Sequence, residues 1–412
     1  GALGVTKTTI SIGYPYSTTA PLAAFSGACS ACSSFGNETY FPQLFTVLAN
    51  DLNSRGGILG HKVVFEGYAY NSTGPASDSS QAAQFEQAAC QKFTHDTPVF
   101  AVVFQSLDPE VLAPCLSKGH VSLIAPYDWE DAKDLNSLLL YAPGAGVDYP
   151  FMRVFLQRLA PQGYFSGWDT TAGGPGPQPT KIGVVNFNDP GWVGQGEQLL
   201  KALKDLGYKI DPQDIITYSA ALDTQSQNVQ NSVLKFHADG VTHVMGSAAN
   251  GLWMYEAVGQ NYFPRYAWYV GFGNDQNARS QQGLRGAMGV STFPVADIDP
   301  AQNPGSVGPA QKRCEQLATK AGIGWQSNQS IHSETLATCD SVWSLAEALA
   351  TSRTLTPAGL AAGYDQLGAF PSTFTFGESW GPGRHASNAV VEDIRYNSGC
   401  SCFRYTGVKT KY

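Results

Sequence analysis

The sequence predicts two α/β lobes, each a parallel sheet flanked by helices, and three observations carry that reading. The opening segment runs strand, long loop, helix, glycine stop, strand, which is a parallel crossover unit. Strands then recur between helices of ten or more residues, once up to position 125 and again from 181 to 271. The chain has 412 residues and a mass of 44.0 kDa, more than one core usually supports, so two lobes are expected rather than one.

The elements follow in order. Thr8–Gly13 is apolar and β-branched enough for a strand. Phe41, Leu44, Phe45, Leu48 and Leu52 fall at helical spacing and form one apolar stripe. Arg55-Gly56-Gly57 ends that helix, because glycine can take the left-handed conformation that closes it. Lys62–Phe65 is the next strand. Gln81–Phe93 and Pro109–Lys118 read as helices, Val99–Phe104 and Val121–Ala125 as strands. The pattern pauses at Tyr141-Ala142-Pro143-Gly144, where the first passage between lobes is placed.

Tyr149–Leu159 is then helical and 166–180 is loop chemistry throughout. The second series has strands at Lys181–Phe187, Asp214–Tyr218, Thr242–Met245 and Ala267–Gly271, with helices at Gly194–Leu206, Asn228–His237 and Leu252–Gln260 between them. Gly289–Phe293 is read as the second passage. Three helices follow, Pro309–Ala321, Ser333–Thr351 and Thr356–Gln366, and short strands close the chain, among them Glu392–Tyr396 and Phe403–Tyr405. The expected division is 1–143 with 294–370 in the first lobe and 144–293 with 371–412 in the second, with hinges near 141–145, 290–296 and 368–374.

Charge and composition exclude several functions. A net charge of −8, a pI near 5.4 and the lack of any Lys or Arg run argue against a nucleic-acid surface. No apolar stretch approaches the roughly 20 residues needed to span a bilayer. The eight cysteines pair locally: Cys90 with Cys115 and Cys314 with Cys339 on consecutive helices, Cys29 with Cys32 and Cys400 with Cys402 within loops. Four bridges imply an oxidising compartment. The first residues, GALGVTKTT, carry no basic and apolar leader, so the chain is read as the mature part of a longer precursor.

Catalytic motifs fail on context. Gly377-Glu378-Ser379-Trp380-Gly381 fits the nucleophile-elbow pattern, but Pro382-Gly383 follows instead of a helix. His385 is the only later histidine, and Asp393 comes after it, the reverse of the usual order. Gly191–Gly196 opens a helix after a strand with the wrong glycine spacing for a dinucleotide loop. Cys29-Ser30-Ala31-Cys32 lies in a Ser/Ala/Gly-rich loop and not at a helix start, which favours a staple over a redox pair. The seven histidines show no metal-ligand spacing. No enzyme activity, cofactor or metal is expected.

A ligand site is the positive reading. In parallel sheets ligands collect beyond the carboxyl ends of the strands, so the loops there matter most. Those loops hold Tyr14 and Tyr16; Ser106 and Leu107; Tyr127, Asp128 and Trp129; Asn188, Asp189 and Trp192; Ser247 and Asn250; and Phe272, Asn274 and Asp275. Two such sets facing each other would make a jaw with polar groups inside and rings for apolar contact.

Leu52-Asn53-Ser54-Arg55-Gly56-Gly57-Ile58-Leu59-Gly60 resembles the signature of type I periplasmic binding proteins, in particular the branched-chain-amino-acid-binding branch. Lys181–Gly207 is similar to that family's second-lobe opening, and Phe376–His385 to its late Gly-Arg-His turn. The resemblance covers nearly the full length. It implies two Rossmann-like lobes, three passages of the chain between them, and capture of solutes for an ABC importer. By position it gives Ser106 and the Tyr127–Trp129 turn the ligand carboxylate, and lets Trp192 replace a family tyrosine that packs on the ligand. The family's ammonium-binding acid falls near Gly273, with Asp275 two residues on, a departure that bears on α-amino-acid recognition.

The expectation is therefore a monomeric, extracytoplasmic solute-binding protein, periplasmic or at the cell surface, with or without a lipid anchor on a removed N-terminal segment. Its partners are a small molecule and the membrane permease of an ABC transporter. An amino acid or related amphiphile, aromatic ones included, is the first ligand class; short amides or urea are the second. A sensory receptor ectodomain of the same fold is the alternative function.

Overall fold

A computed structural model describes residues 1–17, 40–70, 79–104, 111–126, 139–144, 148–189, 192–219, 222–249, 251–269, 282–293, 308–325 and 329–412. It separates into two compact units. One comprises Gly1–Leu22, Ala31–Gly146 and Gly305–Ala389; the other comprises Ala23–Ser30, Val147–Pro304 and Val390–Tyr412.

The first unit is built on five parallel strands: β1 (Thr9–Ser17), β2 (Lys62–Tyr70), β3 (Ala101–Val103), β4 (Ser122–Ile124) and β5 (Leu140–Tyr141). Their order is β2-β1-β3-β4-β5. The helices that connect and flank them are α1 (Tyr40–Ser54), α2 (Ser79–Gln91) and α3 (Leu112–Lys118). In α1 the expected stripe buries Leu44, Phe45, Leu48 and Leu52, while Phe41 stays half-buried. Phe93, Val102, Leu112, Leu116 and Leu123 form a core between the sheet and the next helices.

The glycine stop after α1 has the geometry its residues predict. The Gly57 amide donates to the Leu52 carbonyl at 3.0 Å with φ at +71°, and a Cβ there would lie 2.0 Å from the His61 carbonyl oxygen. Only glycine fits. Asn53 then pairs with the edge strand through both ends of its amide: Nδ2 donates to the Val63 carbonyl at 2.9 Å and Oδ1 accepts from the Val63 amide at 2.7 Å.

The second unit holds α4 (Tyr149–Gln162), a short hairpin β6 (Trp168–Asp169) and β7 (Gly174–Pro175), β8 (Ile182–Phe187), α5 (Val193–Asp205) and β9 (Ile215–Tyr218). It continues with α6 (Leu222–Ala238), β10 (His243–Met245), α7 (Gly251–Gly259), β11 (Arg265–Tyr269) and β12 (Met288–Ser291). The chain then supplies the first unit with α8 (Pro309–Lys320), α9 (Gln329–Ser352), α10 (Pro357–Leu367), β13 (Ala369–Phe370) and β14 (Glu378–Ser379). It ends in the second unit with β15 (Val390–Asn397) and β16 (Cys402–Lys411). The second sheet runs β16-β15-β12-β11-β10-β8-β9, parallel from β12 to β9, with β15 antiparallel to both of its neighbours. Phe236, Trp253, Tyr262 and Tyr266 fill its core.

Two boundaries differ from the sequence reading. Residues 289–293 are no passage, because Met288–Ser291 is a buried strand between β11 and β15. Residues 371–389 belong to the first unit and not the second. The Thr373 amide donates to Asp340 Oδ1 at 2.6 Å, and the Ala142 amide donates to the His385 carbonyl at 2.7 Å. The stretch 166–180 is also more than loop: Trp168 is buried, its indole N–H donating to the Phe263 carbonyl at 2.7 Å.

Cys90 is bonded to Cys115, joining α2 to α3, and Cys314 to Cys339, joining α8 to α9. Cys400 is also disulfide-bonded. Cys29 and Cys32 lie outside the described residues, as does the Cys402 side chain. No helix among the described residues is long and apolar enough to cross a membrane.

Candidate functional site

In the second unit the loops at the carboxyl ends of β8, β9 and β10 are joined by hydrogen bonds, and Asn186 ties the β8 end to the loop after β10. This asparagine is the penultimate residue of an otherwise apolar strand, is buried, and its Oδ1 accepts from the Ser247 amide at 3.0 Å. The Ser247 hydroxyl accepts from the Phe187 amide at 3.0 Å. Space for this is made by glycine: a Cβ on Gly246 (φ +123°) would lie 2.1 Å from the Val185 carbonyl oxygen.

The Asn188 amide donates to the Tyr218 carbonyl at 3.0 Å, and the Ser219 hydroxyl donates to Asp189 Oδ1 at 2.6 Å. The Trp192 amide donates to the Asp189 carbonyl at 3.1 Å. The Trp192 ring is half-buried, edge-on to Phe187 at 5.6 Å, and Phe187 in turn meets Tyr218 at 5.7 Å. The result is a hydrogen-bonded rim of amide, hydroxyl and carboxylate groups beside an aromatic wall. Such a surface can hold a polar head and an apolar body at once.

Of the residues expected here, Asn188, Asp189, Trp192 and Ser247 are brought together by these contacts. Asn250, Phe272, Asn274 and Asp275 lie outside the described residues. Sequence reasoning missed Asn186 and Ser219. The signal for Asn186 was present, a lone polar residue inside Ile182–Phe187; Ser219 carried none.

In the first unit Tyr14 and Tyr16 are not loop residues, because β1 runs on to Ser17. Tyr14 is buried under α1, its ring stacked on Phe45 at 4.1 Å, and burial pushes its hydroxyl up to about 12. It is a core residue. Tyr16 stacks on Tyr14 at 5.6 Å and reaches toward Phe41 at the start of α1. Ser106, Leu107, Tyr127, Asp128 and Trp129 lie outside the described residues.

Near the same end, the Tyr40 hydroxyl is 2.8 Å from Thr335 Oγ1. Glu334, also buried, has its carboxyl pushed up to about 8 by loss of solvent. A protonated glutamic acid beside Tyr40 can donate a hydrogen bond where a carboxylate could not. Nothing in the sequence marked it, since buried and exposed polar positions of a helix look alike.

The remaining motifs resolve structurally. Ser379 lies on β14, whose amide donates to the Ser387 carbonyl at 2.8 Å. His385 stacks on Tyr141 at 4.9 Å with Nδ1 against the Leu140 carbonyl, and Asp393 is bound to Arg158. A groove of about 530 Å³ at the amino ends of β8 and β9 is lined by Phe165, Tyr208, Lys209 and Asp211, with Lys181 and Asp214 paired at 3.0 Å. It lies at the opposite end of the sheet from the loops above. No group of three His, Cys, Asp or Glu side chains gathers among the described residues.

No family model matches the chain, and no curated protein matches it in sequence. Solved structures do. A solute-binding protein of an ABC transporter from R. palustris, in complex with 4-hydroxybenzoate, is 11% identical with a TM-score of 0.67, covering 98% of this chain and 97% of that one. A branched-chain amino acid ABC transporter protein from Thermus thermophilus with bound valine is 11% identical with a TM-score of 0.63, covering 99% and 98%. A fatty acid ABC transporter substrate-binding protein from Thermomonospora curvata is 15% identical with a TM-score of 0.64, covering 100% and 94%. The chain therefore has the periplasmic binding protein fold over its whole length, and the similar structures named here are binding proteins of ABC transporters.

Proposed function

We propose that this chain is an extracytoplasmic solute-binding protein, which captures a small molecule between its two units and delivers it to the permease of an ABC importer. The observation that carries the reading is coverage: the fold matches such proteins from end to end, not over one lobe. The polar rim at Asn188, Asp189 and Ser247 beside Trp192 supports it from the chemistry.

The ligand class we propose is an amino acid or a related carboxylated amphiphile with an apolar or aromatic body. Valine and 4-hydroxybenzoate, bound by two of the similar proteins, share that plan. Carboxylate contacts are assigned to Ser106 and the Tyr127–Trp129 turn, ring contact to Trp192 and Tyr16, and polar contacts to Asn188, Asp189, Ser247, Asn250, Asn274 and Asp275, with Phe272 and Leu107 as apolar walls. Closure of the two units on the solute supplies the signal to the permease.

Thermal-shift screening against amino acids, aromatic acids, fatty acids, polyamines and short amides tests this. A solute that binds only the folded state at about 100 times its Kd adds about 2.7 kcal/mol of stability. One chemical class should raise the melting temperature clearly above the rest. A flat response across the panel contradicts the reading.

A further inference from the structure

Two carboxyl groups are buried together in the first unit, on α9 and β14. Asp340 on α9 is wholly buried and Glu378 on β14 nearly so. The Asp340 carboxylate is wrapped by the 372–375 turn: the Ser372 hydroxyl donates to Oδ2 and the Thr373 amide to Oδ1 at 2.6 Å. Ser372 in turn accepts from the amides of Phe374 at 3.0 Å and Thr375 at 2.8 Å.

Glu378 lies beside the Asp340 carboxyl and the Ser372 and Ser387 hydroxyls. Neither of its oxygens accepts a hydrogen bond of normal geometry from a described N–H or hydroxyl donor. An ionised carboxylate could not be held there, since two adjacent buried negative charges repel strongly in a low dielectric. One proton between them removes the repulsion and supplies a donor.

The surroundings give the pair a mechanical consequence. The strand that carries Glu378 is bonded to residues 385–389, the last before the chain leaves this unit. The Ser379 amide donates to the Ser387 carbonyl at 2.8 Å and the Ala389 amide to the Gly377 carbonyl at 3.3 Å. Ser387 then grips the other exit segment: its hydroxyl accepts from the Gly144 amide at 2.8 Å and its amide donates to the Ala142 carbonyl at 3.3 Å. Gly144, at φ +70°, is so close that a Cβ would lie 2.8 Å from Thr375 Cγ2. Two of the three places where the chain passes to the second unit therefore rest on β14 and the turn around Asp340.

We propose that Asp340 and Glu378 form a proton-sharing latch, which clamps the exit segments 142–144 and 385–389 while it keeps its proton and releases them when it loses it. Burial raises both groups above their ordinary values, and the adjacent Asp340 charge raises Glu378 further, which favours one proton held by the pair. The titratable groups packed around the pair are Tyr364 on α10, Tyr141 on β5 between Tyr364 and His385, and, further out, Asp365. Arg384 donates to the Asn388 carbonyl at 2.7 Å, beside the Glu378 strand. The latch needs no ligand and stands apart from the proposed solute.

Hydrogen exchange of the full chain, corrected for intrinsic rates, tests it. Opening linked to the loss of one proton should weaken protection of the Gly144, Ser379 and Ala389 amides about tenfold per pH unit above neutrality. Val102 and Leu123, in the sheet of the same unit, should not follow. Glu378→Gln should abolish the slope, and Asp340→Asn gives the same test if that variant folds poorly. The wild-type slope alone decides if neither folds. Uniform behaviour of all five amides, or an unchanged slope in a folded variant, overturns the proposal.

Discussion

Arg158 and Asp393 form a two-pronged ion pair: Nε donates to Oδ1 at 2.9 Å and Nη2 to Oδ2 at 2.6 Å. The pair ties α4, the first helix of the second unit, to β15, on which the chain returns to that unit 235 residues later. Asp393 is 4% exposed and Arg158 22%, so the acid is the buried partner.

Arg158→Ala leaves that carboxylate buried and unpaired. We expect a loss of about 2–3 kcal/mol in urea unfolding, somewhat below the range for a fully buried pair because the arginine edge is wet. An unchanged midpoint would show the pair to be a surface contact.

Cys90–Cys115 and Cys314–Cys339 each close a loop of sequence separation 25. Chain-entropy arguments give such a loop about 3 kcal/mol of stability. Cys314→Ala with Cys339→Ala should lower stability by that order, and native mass spectrometry before reduction should find no alkylatable thiol at these four positions.

His243 is buried against Arg265, and both push its imidazole down to about 4 from an ordinary 6.5. Its Nε2 lies 3.1 Å from the Ser166 carbonyl, so that nitrogen carries the proton in the neutral ring. The unfolded chain binds this proton more readily than the folded one, so stability falls as pH drops from about 6.5 toward 4. His243→Gln should flatten that limb by up to about 3 kcal/mol. Parallel pH–stability curves for the two proteins would contradict the assignment.

Trp192→Ala should abolish the melting shift produced by any bound solute. The ring also packs on Phe187 and the second core. A cost of about 1–2 kcal/mol is therefore expected as well, less than for a fully buried ring. Retention of the full ligand shift would remove Trp192 from the site.

The fold was legible because apolar spacing and glycine stops are local signals. The α1 stripe and Gly57 belong to this class, and so does the alternation of β8 through β11 with their helices. The misread portions depend on distant partners. Residues 371–389 join the first unit through Asp340 and Ala142, and nothing in their own sequence names those partners. Tyr14 looked like a loop residue because the strand was ended too early; tyrosine sustains a strand well, and Phe45 was waiting above it. At the site, residue types at strand ends were readable. The pinning of Ser247 to Asn186 and of Asp189 to Ser219, which joins three loops, was not.

Titration calorimetry of the strongest hit from the solute panel measures the central claim most directly. Wild type should bind one molecule per chain, and Trp192→Ala and Tyr127→Ala should each weaken binding at least tenfold while remaining folded. Equal affinity in all three proteins, or no binding by wild type to any compound, would contradict a solute held between the two units.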